Sequence, residues 1–293
     1  MKKITLVLML AVAAVMQCNA QLLWKVTGNG LSKPSYIFGT FHVAPVSIVD
    51  SVAGLDEAMA SVEAVYGELA LSELHSAPLK IAQTFIAPAD STLGKVFTEA
   101  ELQEINSVFS DLAGVTMDFT SSADGYKPVA LSSAMLGILA KKSVPGYKIG
   151  ETLDEYLLSR AVDAGKYVGG LESLQKQIDL LYSTPISQQA ADLLELVRMN
   201  GSSTTILREM YDAYKAGDID RLYEMISDSE NGGLLENAND RLLKERNEAW
   251  VDFLLGFIPT TSVLVVCGAG HLPGADGLIS LLRGAGYNVE PVN

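Results

Sequence analysis

Residues 36–42 read YIFGTFH, and residues 264–271, near the other end of the chain, read LVVCGAGH. Each is an apolar, strand-like run that stops at Gly-x-x-His, and together they hold two of the three histidines among 293 residues. In open α/β sheets, ligands collect beyond the carboxyl ends of the strands, where loops leave the sheet. His42 and His271 both fall just past such an end. Gly39 and Gly268 permit a tight exit, or a close backbone approach that a Cβ would block. So placed, the two imidazoles can converge in space despite their separation in sequence. The pattern alone leaves a shared site and two unrelated polar groups as open alternatives.

The other strand signals are short and widely spaced. LLWKV, a TGNG turn and SYIFGTFH predict an antiparallel hairpin at the amino end. Further strands are expected in AVYGELAL at 64–71, KYVGGLE at 166–172, SVLVVCGAG at 262–270 and GYNVEPV at 286–292. Helical patterns fill the intervals. Leu174, Ile178 and Leu181 mark one apolar face, and TILREMYDAYKAGDIDRLYEMI predicts a helix or a helix pair. The expected fold is a single α/β domain over 21–293. It has a mixed central sheet, the N-terminal hairpin, flanking helices, and helical excursions at about 72–160 and about 175–258.

Composition narrows the function. At 48% apolar and 19% charged residues the chain is a foldable globular protein. A net charge of −14 argues against binding nucleic acid or anionic lipid, both of which need a basic face. MKK, then ITLVLMLAVAAVM, then CNA is the tripartite pattern of a signal peptide over 1–20, with cleavage after Ala20 and Gln21 as the mature first residue. Lipoprotein processing at Cys18 is the minor alternative, because Met16 and Gln17 are poor neighbours for it. A periplasmic or secreted protein with no stable membrane insertion after leader removal is expected, its oligomeric state open. Cys267 is then the only cysteine, so no intramolecular disulfide can form. It reads as a small buried apolar residue.

Carboxylates complete the candidate chemistry. Glu68 falls at or near the end of one predicted strand and Glu172 at the end of another, where an ionised side chain is costly to bury without a partner. Either can serve a histidine or a metal ion, and Glu68 can equally cap a helix or pair with Arg246. Leu243, Trp250, Phe253, Leu254 and Phe257 form an apolar stripe at helical spacing. Arg246 and Asn247 lie in its gap, where a guanidinium and an amide facing the core need partners. His75 reads as a solvated residue. TGNG lacks the ending of a phosphate loop, and no Gly-x-Ser-x-Gly elbow is present.

The stretches LWKVTGNGLSKPSYIFGTFHV, VYGELAL, YVGGLESLQKQIDLL, AYKAGDIDRLYEMI, LLKERNEAWV and VVCGAGHLPGADGLISLLRGAGYNVE together resemble the TraB/GumN family, to which the Tiki metalloproteases are related. The likeness rests on the paired motifs Gly39 to His42 and Gly268 to His271, on Glu68 and Glu172, and on the Arg246–Asn247 pair. It implies an α/β fold related to the erythromycin esterase and ChaN groups and, from the Tiki branch, metal-dependent peptide cleavage with manganese or cobalt. On that basis a metal-dependent hydrolase acting on a peptide or protein substrate is expected. His42, Glu68 and His271 would hold a divalent ion, zinc also being compatible. Glu172 would be the general base, Arg246 the oxyanion stabiliser and Asn247 an orienting residue, with Glu68 and Glu172 exchangeable in role. A metal-free esterase-type hydrolase with a histidine base, and a non-enzymatic haem or ligand-binding protein of the envelope, are the alternatives.

Overall fold

The amino-terminal hairpin forms as its pattern predicts. Strands β1 (Leu23–Thr27) and β2 (Ser35–Thr40) pair antiparallel, with Leu23 opposite Phe38 and Val26 opposite Ser35. This computed structural model describes residues 22–227 and 240–292, so the leader assignment, with Ala20 and Cys18, lies outside the described residues. The four later strand signals give β3 (Ala64–Gly67), β4 (Tyr167–Gly170), β5 (Val263–Gly268) and β6 (Asn288–Pro291). They assemble in the order β4-β3-β5-β2-β1-β6.

Parallel pairing joins β4 to β3, β3 to β5 and β5 to β2. β1 runs against both β2 and β6. Thr40, Gly67, Gly170 and Gly268 therefore end their strands at one edge of the sheet. Every residue of β5 before Gly268 is buried, as expected for an apolar strand covered on both faces. From β3 the chain leaves towards β4, and from β5 it leaves in the opposite direction towards β6. The crevice between β3 and β5 is thus the topological switch point of the sheet, where ligands gather in open α/β folds.

Helix α1 (Leu55–Ser61) joins β2 to β3. Between β3 and β4 run α2 (Leu71–Thr84), α3 (Leu93–Val96), α4 (Glu99–Ala113), α5 (Phe119–Ser122), α6 (Pro128–Ser143) and α7 (Leu153–Asp163). After β4 come α8 (Leu174–Tyr182), α9 (Ile186–Arg198), α10 (Asn200–Ala216) and α11 (Ile219–Ser227). A π turn over Asp240–Lys244 then leads into α12 (Glu245–Leu255), and α13 (Leu278–Gly284) carries β5 into β6. Arg160 Nη2 ties α7 to α1 through Asp56 Oδ1 at 2.7 Å, and α12 packs against α13. Phe38, Val65, Leu157, Leu264 and Trp250 belong to the core around the sheet. Among the described residues no helix is long and apolar enough to cross a membrane.

Some local expectations shift. The two helical excursions do not stay apart: Leu93, Ile105, Phe109, Met135 and Leu193, from α3, α4, α6 and α9, share a second core. Leu181 is 44% exposed, so the buried face of α8 is Leu174 and Ile178, with Tyr182 packed against it. Phe253 is likewise 44% exposed and leaves the stripe, resting instead on the ring of Tyr66 with centroids 5.8 Å apart. The predicted helix pair is α10 and α11, separated at the left-handed Gly217.

At the end of β2 the backbone comes unusually close to the turn after β5. A Cβ on Gly39 would stand 3.0 Å from both Cα and Cβ of Ala269, while its carbonyl accepts from Tyr214 Oη at 2.9 Å. Gly39 thus sets the spacing of the two motif-bearing strands. Gly39→Ala is expected to lower stability by about 1–3 kcal/mol, as overpacking does, measured by the midpoint of urea unfolding. An unchanged midpoint would mean that the turn after β5 yields without cost.

Candidate functional site

Each charged side chain of the site stands just past a carboxyl end of the parallel sheet. β3 stops at Gly67 and Glu68 follows; β4 stops at Gly170 and Glu172 follows after Leu171. The two ends stay joined by backbone bonds, Leu171 N to Gly67 O at 2.9 Å and Glu172 N to Glu68 O at 3.0 Å. That pairing sets the two carboxylates side by side. His42 follows β2, and His271 closes a single 3-10 turn after β5. Gly268 lies amid them: a Cβ there would meet Glu68 Oε1 at 3.4 Å, His271 Cδ2 at 3.6 Å and His42 Nε2 at 3.7 Å. A side chain at position 268 would fill the space these groups face.

Arg246 reaches this cluster from α12. Its Nε donates to Glu172 Oε1 at 2.9 Å. Nη2 donates to Glu68 Oε2 at 2.5 Å and to Glu172 Oε1 at 2.6 Å. Nη1 donates to Leu242 O and faces His271 Nε2, both at 3.0 Å. A guanidinium has five N–H groups, and five contacts to four acceptor atoms account for them, Glu172 Oε1 taking two. Arg246 therefore has no N–H left for an oxyanion in this arrangement, and its evident work is to hold two buried carboxylates together. Gln177 reinforces it, with Nε2 at 3.0 Å from both Glu68 Oε2 and Glu172 Oε1. Trp250 lies beneath, 4.6 Å from Arg246 Cζ and 4.4 Å from the His271 ring by centroids.

The protonation of His271 follows from its neighbours. A guanidinium cannot accept a hydrogen bond, so His271 Nε2 carries a lone pair and Nδ1 carries the proton. Asn247 agrees: its Nδ2 donates to His271 O and Asp276 O, at 3.3 and 2.8 Å. Its Oδ1 is then the atom facing His271 Nδ1, at 2.6 Å. Burial, with the positive charges of Arg246 and His42, lowers the His271 pKa to about 3 against the pull of Glu68. It is a neutral ring with an oriented lone pair.

His42 is its opposite. The ring keeps 65% of its side-chain surface, although neighbours crowd one side. Desolvation opposes its charge, but Asp154, with Oδ2 3.4 Å from Nδ1, and then Glu68 outweigh it and raise the pKa to about 9. Glu68 is held anionic. Burial opposes its charge, yet His271, Arg246, His42 and the Gly268 N–H lower its pKa to about 2. His271 is itself uncharged at neutral pH, so Arg246 is the persistent cause. Cys267 is fully buried with its thiol pKa raised, which leaves it an inert core residue.

Among the described residues no three His, Cys, Asp or Glu side chains stand at coordination spacing. The donor kinds nevertheless fit a divalent ion: two imidazoles and a carboxylate face a residue without a side chain. Donors on one ion at about 2.1 Å stand about 3.4 Å apart in a tetrahedron, and His271 Nε2 lies 3.9 Å from Glu68 Oε1. What occupies the His271 lone pair is Arg246 Nη1, so an ion and that hydrogen bond compete for one atom. An open crevice leads in past His42, Glu68, Leu69, Leu74, Thr152, Asp154 and Gln177.

Asp154, Thr40 and Gln177 escaped the sequence reading. Gln177 sits five residues after Glu172 in LESLQKQ, a legible neighbour. Asp154 follows the helix cap Thr152 and reads as an ordinary first-turn acid, so only the fold reveals its burial. The profile of the TraB/PrgY/gumN family matches residues 22–291. Searches of curated proteins and of solved structures gave no match.

Removing Arg246 takes the guanidinium from Glu68 and leaves Glu172 the more distant Lys176 Nζ, 3.5 Å from its Oε2. Arg246→Met is expected to cost about 3–5 kcal/mol in urea unfolding, and adding Glu68→Gln should recover part of that loss; simple additivity would show that the charges are not coupled. Two pH windows follow from the shifted groups. The contribution of Glu68, whose folded pKa lies below the usual 4.5, is present above 4.5 and is lost as pH falls through about 2. That of His42, raised from 6.5, is present below 6.5 and is lost as pH rises through about 9. A His42 NMR titration midpoint near 6.5 would show that Asp154 does not hold its proton.

Proposed function

The chain belongs to the TraB/PrgY/gumN family, and from that premise we propose that it is a metal-dependent hydrolase acting on peptides. The observation that carries this reading is the convergence of His42, Glu68 and His271 on Gly268, at the mouth of a crevice backed by an Arg246-compensated carboxylate pair. A divalent ion held by His42, Glu68 and His271 would activate water and polarise the scissile carbonyl. Manganese, cobalt and zinc all suit such an imidazole and carboxylate set.

The protein groups divide the remaining work. Both oxygens of Glu68 are engaged, Oε1 by Gly268 N at 2.8 Å and Oε2 by Arg246 and Gln177, so it serves as a fixed negative charge. Glu172 Oε1 takes Arg246 and Gln177, whereas its buried Oε2 has no hydrogen bond among the described residues and faces the Lys176 ammonium at 3.5 Å. Glu172 is therefore the general base, with Oε2 as the proton-accepting atom. Asn247 keeps the lone pair of His271 turned into the site. Arg246 gains an N–H for a substrate oxygen only when His271 Nε2 takes another partner. A metal ligand must be neutral, so ion affinity rises as His42 gives up its proton. The raised pKa of His42 also opposes the rival in which that histidine alone is the base. The secreted or periplasmic location belongs to the same reading, supported by the MKK–ITLVLMLAVAAVM–CNA leader pattern.

The test is turnover of an unbiased peptide library by the mature protein, followed by mass spectrometry. A strong chelator should abolish cleavage, and manganese or cobalt should restore it. His42→Ala and His271→Ala should each abolish it, the double variant being no worse than either, because residues that act as a unit are non-additive. Glu172→Gln should keep bound metal while losing about 10²–10⁴-fold in rate. Chelator-resistant turnover would remove the metal from the mechanism, and a lack of any peptide turnover would remove the substrate class.

A further inference from the structure

Asp154 lies outside the stretches that carry the family likeness, yet its surroundings are unusual for an acid in the first turn of a helix. Such a carboxylate ordinarily faces solvent or accepts from the free N–H groups of the helix start. Asp154 is 8% exposed, and among the described residues no backbone N–H donates to it; Thr152 Oγ1 accepts from Glu155 N instead. Its Oδ1 accepts from Thr40 Oγ1 at 3.2 Å, and Thr40 is the buried last residue of β2. Its Oδ2 is buried without a hydrogen bond among the described residues and lies 3.4 Å from Nδ1 of His42, two residues further on. One carboxylate thus spans the strand end and the histidine that leaves it.

We propose that Asp154 is a positioning residue: it holds a proton on Nδ1 of His42 and turns Nε2 towards Gly268 and Glu68, while Thr40 fixes the carboxylate. Which ring nitrogen is protonated is set by the hydrogen bond the other makes, and partners of this kind tune the ligand they orient. The long 3.4 Å separation is of the sort that tightens when a ligand is bound. The role in catalysis rests on the hydrolase reading; the orientation of His42 does not.

The full mature chain labelled in histidine tests it by NMR, with His42→Gln assigning the resonance. The wild type should show a slowly exchanging His42 Nδ1–H at neutral pH. Asp154→Ala should lose that signal and weaken Mn²⁺ binding by about 10–100-fold in calorimetry. Asp154→Asn should keep the signal and most of the affinity, because an amide oxygen still accepts from Nδ1 and the Thr40 hydroxyl can accept from the amide. A wild type without a protected proton, or an Asp154→Ala variant that keeps it, overturns the assignment, as does a loss of melting temperature alone. If Asp154→Ala does not fold, the nearly isosteric Asn variant decides: signal kept supports the pairing, and signal lost overturns it. Failure of the wild type to bind Mn²⁺ would count against the hydrolase reading, while the proton signal still judges Asp154.

Discussion

A buried guanidinium with every N–H engaged organises the carboxyl edge of this sheet. Glu68 and Glu172 are brought together by the backbone pairing of β3 and β4, and without Arg246 they would repel at close range in a poorly solvated place. Arg246 reaches them because α12 lies across the sheet with Trp250 one turn on, a flat support for both the guanidinium and the His271 ring. The shortest ion pairs of the site converge on one nitrogen, Nη2. Sheet, helix and site are thereby coupled through a single side chain.

That arrangement makes chemical opposites of two sequence twins. His42 and His271 end the same Gly-x-x-His pattern, but one projects into an open crevice beside Asp154 and the other lies under Arg246 and over Trp250. The first is held protonated near neutral pH, and the second is kept neutral with its lone pair oriented. An ion that used both would displace a proton from one and an arginine from the other. In the proposed function, metal affinity is then set by groups behind the ligands as much as by the ligands themselves.

Much of the fold is legible in the sequence. All six strands follow from short apolar runs bounded by Gly, Asn and Pro, and the hairpin from its TGNG turn. The burial of Arg246 and Asn247 followed from their place in the gap of an apolar stripe. Where periodicity failed, another contact had taken over: Phe253 gives up its stripe position for the ring of Tyr66, and Leu181 yields to Tyr182. Asp154 was illegible for a different reason. A first-turn acid after a threonine cap looks alike on a solvated helix and on one whose amino end points into a crevice.

The sequence by itself determined the elements, the family and the kinds of donor available, because strand length, turn chemistry and residue type are local properties. Tertiary structure alone decided the order β4-β3-β5-β2-β1-β6, the shared second core of the two helical excursions, and the proton on each ring nitrogen. Those depend on what stands opposite across the sheet. Five N–H groups on Arg246 can be counted in a sequence, but where they are spent is a matter of distances among Glu68, Glu172, Leu242 and His271, residues brought together from three strand ends and a helix.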